Sequence, residues 1–100
     1  MGRLFAVVRS HGVAWNNART LEQQDDWGAH AAFMNGLHAE GFVVIGGPLE
    51  GTPDVLLIFR ASDEEQIRFR LAEDPWTAKG LLCITSVAPW TLRLGSLDQR

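Results

Sequence analysis

One hundred residues, 46% apolar and 21% charged, describe a single globular domain and exclude a disordered chain. A formal charge of −3 argues against a nucleic-acid surface, and no apolar run approaches the roughly 20 residues that span a bilayer. A single cysteine excludes an internal disulfide, and with no secretory signal pattern at the N-terminus the expected compartment is the cytoplasm.

Leu4-Phe5-Ala6-Val7-Val8 is rich in strand formers and predicts the first strand. Ser10 to Asn17, with Gly12, Asn16 and Asn17, predicts a loop. Thr20 followed by Gln23 is a capping-box pattern, and Glu22, Asp25 and Asp26 suit the positive end of a helix dipole. The helix is expected from about Leu21 to Glu40, with Trp27, His30, Ala31, Met34, Leu37 and His38 at helical spacing and Gly41 as terminator. Gly28 and Gly36 inside it suggest close packing.

Phe42 to Ile45 predicts a buried strand closed by Gly46-Gly47-Pro48, and Val55 to Phe59 predicts the strand that pairs with it as a hairpin. Ser62 and Glu65 form a second capping-box pattern, ahead of a helix whose inner face carries Ile67 and Leu71. Arg60, Arg68 and Arg70 read as solvated charges around it. Asp74-Pro75-Trp76 is expected to close this helix, because a residue before proline is biased away from the α region. Leu81 to Val87 predicts the last strand, continuing past a break at Pro89 toward Leu94, and Gly95 to Arg100 reads as a polar tail. Cys83, inside the apolar run, reads as a small buried hydrophobe.

The order βαββαβ is the split βαβ arrangement, an α+β, ferredoxin-like domain with both helices on one face of a four-stranded antiparallel sheet. The last strand is apolar in both phases, which predicts two buried faces and a second copy of the sheet as the cover. A homodimer is therefore expected.

Nucleotide loops, paired CxxC motifs and HExxH are absent. No metal site is expected: His30 and His38 stand about 12 Å apart along a helix, too far to share an ion. His30 borders the apolar helix face, and an imidazole can exchange protons at neutral pH, so it is the candidate general acid or base, against a purely structural role for a half-buried histidine. Asp74 is either a turn residue or the carboxylate that orients His30. Trp15, a large aromatic in a polar loop, is expected over a pocket mouth or a partner subunit. Arg9, at the end of the first strand, is expected at the pocket rim to bind a carboxylate or phenolate, or in a surface ion pair. Trp76 and Gly47 complete the candidate binding residues.

His30, Leu37, Gly41, Gly46-Gly47-Pro48, Asp74-Pro75-Trp76, Gly80 and Val87-Ala88-Pro89-Trp90 together resemble the YCII-related family of the dimeric α+β barrel superfamily, from Leu4 to Leu94. The resemblance implies one domain over residues 1–100 that pairs sheets to close a barrel. It also implies a site built from His30 and Asp74. Trp76 stands where the family often has phenylalanine. The family includes dehydrochlorinase-like enzymes for hydroxylated aromatics and its superfamily includes muconolactone isomerase-like proteins. Two readings follow. One is a cofactor-free lyase or isomerase on a small cyclic or aromatic acid. The other is a non-catalytic ligand-binding or structural dimer of the same fold.

Overall fold

The computed structural model describes residues 2–97. Strand β1 (Arg3–His11) turns Phe5, Val7 and Arg9 to one buried face and Leu4, Ala6 and Val8 to the other. A 3-10 turn (Leu21–Gln23) precedes helix α1 (Trp27–Ala39). Strands β2 (Val43–Pro48) and β3 (Asp54–Ala61) form the hairpin, followed by helix α2 (Glu64–Leu71), one-turn helix α3 (Pro75–Ala78) and strand β4 (Leu82–Pro89). The sheet order is β2-β3-β1-β4 with every neighbouring pair antiparallel, the ferredoxin-like arrangement. Leu37, Ile67 and Leu71 from the helices pack on Phe5, Val7, Val43, Leu57 and Phe59 from the sheet. Among the described residues no helix is long and apolar enough to cross a membrane.

The helix expected from Leu21 is interrupted. Thr20 and Gln23 do form a capping box, but it caps only the 3-10 turn. Asp26 then sits in the left-handed region at φ 59°, where aspartate is tolerated, and α1 starts one residue later. Gln24 ties this segment down: it is buried and bonds to Asn16, Arg19 and Thr20. Gly28 and Gly36 do not mark close packing, because a Cβ at either position would meet nothing within 4 Å. The second helix is capped by Asp63 rather than Ser62, its carboxylate accepting from the Gln66 N–H. Asp74-Pro75 closes nothing by itself; it opens α3, with Pro75 at the position where a missing N–H costs least.

The last strand corrects two expectations. A bulge shifts the β1–β4 register between Val8↔Ser86 and Arg9↔Ile84, leaving Thr85 as the extra residue. The bulge returns Leu82, Ile84 and Val87 to the helix-covered face. Apolar residues in both sequence phases therefore reflect the bulge and carry no argument for a second buried face. Cys83 falls on the opposite face and is exposed. From Trp90 to residue 97 there is no further strand, so the extension toward Leu94 is not made; Asp98 to Arg100 lie outside the described residues.

Candidate active site

The site begins with the cap of α3. Asp74 lies in extended backbone, and its Oδ1 accepts from the Trp76 N–H at 3.0 Å, closing the first turn. That cap fixes the carboxylate inside the protein, with Asp74 only 1% exposed. Arg9 reaches it from β1: Nη1 donates to Oδ2 at 2.9 Å, while Nη2 donates to Thr77 Oγ1 at 2.8 Å. His30 reaches it from α1, with Nδ1 2.9 and 3.0 Å from the two carboxylate oxygens. The imidazole lies flat on the Trp76 indole, ring centroids 3.9 Å apart and planes within 3°.

This arrangement fixes roles. A carboxylate can only accept, so the bond assigns the proton to Nδ1. Nε2 has no hydrogen-bond partner among the described residues, and His30 lines a cavity of about 230 Å³. The walls are Leu21, Trp27, Met34, Val55, Leu57, Trp76 and Leu82, with the backbone of Gly46, Gly47 and Pro48 at the edge strand. Burial opposes the Asp74 charge, but the hydrogen bonds from His30, the Trp76 N–H and Arg9 outweigh it and hold the carboxyl below its usual range. An anionic Asp74 stabilises a proton arriving at Nε2, the role a carboxylate plays behind a catalytic imidazole.

The structure thus brings His30, Asp74, Arg9 and Trp76 into contact and places Gly47 at the cavity's edge. Arg9 does not stand at a rim or in a surface pair: it is 1% exposed, beneath the cavity. Trp15 does not line this cavity. It stacks on His11 at 3.7 Å and meets Trp76 edge-on at 5.6 Å, one layer behind. Thr77 is the member that sequence reasoning missed; no spacing rule links it to Arg9. A larger groove of about 560 Å³ along His11, Leu71 and Ile84 holds neither His30 nor Asp74. Among the described residues no cluster of three His, Cys, Asp or Glu could hold a metal, and His38 is bonded away at the Val43 carbonyl.

The YCII-related domain model matches residues 13–91 of the chain. The fold is similar to that of 5-chloro-2-hydroxyhydroquinone dehydrochlorinase (TftG) from Burkholderia phenoliruptrix AC1100, solved in complex with 2,5-dihydroxybenzoquinone. The two share 25% sequence identity at a TM-score of 0.67, over 88% of this chain and 93% of that one. No curated protein matches the sequence.

Proposed function

The chain belongs to the YCII-related domain family, and from that premise we propose that it is a cofactor-free lyase or isomerase that moves a proton on a small hydroxylated ring. The observation that carries this is His30: Nδ1 is held by a buried carboxylate, and the ring lines a cavity with Nε2 unpaired among the described residues. Nε2 accepts the substrate proton, Asp74 stabilises the resulting imidazolium, and the apolar walls, Trp27 among them, pack against the ring. A cavity of about 230 Å³ suits one six-membered ring and little more.

The lining also refines the substrate. Its only side chain with a permanent positive charge is Arg9, and both Nη groups are committed to Asp74 and Thr77. The guanidinium already has its counter-charge in Asp74, and burying a second carboxylate, the substrate's, beside that anion is costly. A neutral hydroxylated ring fits this site better than the cyclic acid expected from sequence. For a chlorinated hydroxyhydroquinone in its keto form, a proton leaves to Nε2 and its electron pair enters the ring. The C–Cl bond breaks with its electrons on chloride, so the ring loses HCl and no oxidant is needed.

We further infer that two copies pair through the open sheet face, giving one barrel per homodimer of this single domain. Ile45, Leu49 and Trp90 are exposed large apolar residues, and the face opposite the helices carries Leu4, Ala6, Val8 and Leu56. Sedimentation velocity checks this directly; a monomer at micromolar concentration sinks it.

The catalytic reading is tested with 5-chloro-2-hydroxyhydroquinone as substrate and chloride release as readout. Parent protein is expected to turn over, and His30→Gln to lose about 10²- to 10⁴-fold. Turnover that survives His30→Gln overturns the role of His30. Binding of 2,5-dihydroxybenzoquinone without turnover of any chlorinated ring leaves a ligand-binding module in place of an enzyme.

A further inference from the structure

We propose that Arg9 is a positioning residue of this site, acting on His30 through Asp74 by orienting the carboxylate and offsetting its charge, without touching substrate. The inference rests on the reading of His30 as the proton-transfer group.

Three observations carry it. Arg9 follows Phe5 and Val7 on the buried face of β1, a position where a strand facing a core carries an apolar side chain. Its two Nη groups grip the α3 N-cap at Asp74 Oδ2 and the helix itself at Thr77 Oγ1, and Thr77 in turn donates to the Leu71 carbonyl at 2.7 Å. The carboxylate is therefore tied to β1 and, through Arg9 and Thr77, to the end of α2. Finally, the Arg9 Nε is buried with no hydrogen-bond partner among the described residues. A buried, unsatisfied N–H costs roughly 1–3 kcal/mol, and a well-packed apolar pair often matches a buried ion pair in stability. Stability alone gives little reason for this arginine.

The electrostatic consequence follows from geometry. Nδ1 of His30 and Nη1 of Arg9 both lie 2.9 Å from Asp74 Oδ2. The imidazole thus faces an ion pair rather than a bare anion. A bare carboxylate this close favours a proton on the ring at the expense of the acceptor at Nε2, and the guanidinium on the same oxygen offsets part of that charge. Other charges near the ring are farther out. Asp26, whose backbone carbonyl accepts the His30 N–H, turns its carboxylate to Lys79 at 3.5 Å, both about half-exposed. Asp25 faces Arg19 in solvent. The β2, β3 and β4 residues lining the cavity carry no titratable side chain.

The test is an NMR titration of the His30 ring, which needs no turnover. Arg9→Met is expected to move the midpoint to higher pH than in the parent by about one pH unit or more. Asp74→Asn should move it the other way. Lys79→Met, which removes a solvated cation near the site, should leave it within a few tenths of a unit. If Arg9→Met does not fold, Arg9→Gln and Arg9→Lys make the same comparison: Gln displaces the midpoint and Lys keeps it. A midpoint that ignores Arg9, or moves no further than with Lys79→Met, overturns the proposal. Where the parent is active, the acid limb of its kcat/KM profile moves with the ring. An inactive protein whose ring responds to Arg9 sinks the catalytic reading and leaves this coupling; an active one whose ring ignores Arg9 does the reverse.

Discussion

Removing the Asp74 carboxylate should be among the most damaging single changes in this protein. In Asp74→Ala the Arg9 guanidinium, 1% exposed, keeps its charge and loses its counter-charge. Breaking a buried pair from one side costs about 3–5 kcal/mol. The same change deletes the α3 cap, worth about 1 kcal/mol. Because one side chain supplies both, the two costs overlap, and the expected loss is about 4 kcal/mol. Against the 5–15 kcal/mol that holds a typical domain, roughly, this leaves a protein near its unfolding threshold. The melting temperature should fall by more than about 15 °C. Urea unfolding followed by circular dichroism reads the loss. The double variant Arg9→Met/Asp74→Ala removes the stranded charge and should be more stable than Asp74→Ala alone. A loss below about 1 kcal/mol, or a double variant no better than the single, refutes the account of a buried, mutually dependent pair.

Stability should also fall on acidification, because the Asp74 carboxyl is held below its usual range in the folded protein. Its contribution is complete above the unfolded value near about 3.9 and drains away as pH falls through the lower folded value, so an acid melt of Asp74→Asn should be flatter than that of the parent. Gly46→Ala should destabilise and distort β2, since the new Cβ would lie 2.4 Å from Leu57 Cδ2 and 3.1 Å from the Leu56 carbonyl oxygen; hydrogen exchange at β2 amides reads this, and unchanged protection contradicts it. Cys83 is exposed on the open sheet face of the single chain, so a thiol reagent should modify it readily in protein dilute enough to be monomeric and slowly once a second copy covers that face; a rate that does not change with protein concentration contradicts the pairing.

The order of strands and helices was legible because each apolar run ends in glycine, proline or a capping residue. The interruption of the first helix was not. Thr20, Gln23 and the early acidic residues favour a helix there, whereas the break goes with bonds that spacing does not reveal: Gln24 reaches back to Asn16, Arg19 and Thr20, and the Trp76 indole N–H, 51 residues on, donates to the Asp25 carbonyl. The bulge in β4 was equally hidden: one extra residue makes a one-faced strand read as a two-faced one, and it misplaced Cys83 with it. At the site, spacing alone offered no way to join His30 to Asp74, 44 residues on; the family resemblance supplied that pairing. Arg9 was the avoidable miss. Its phase with Phe5 and Val7 already placed it on the buried face, where a cation needs an anion rather than solvent.

The sheet order also bears on how the protein is born. β1 is central, yet both strands that flank it, β3 and β4, are synthesised later. At about 5–20 residues per second, β1 waits seconds on the ribosome for its first ladder and longer for its second. Arg9 meets Asp74 across 65 residues and Thr77 across 68, so closing that clamp is a long-range, late event. A nascent or half-folded chain therefore carries its histidine exposed but without its carboxylate. The proposed proton-transfer pair is assembled only when nearly every element is in place.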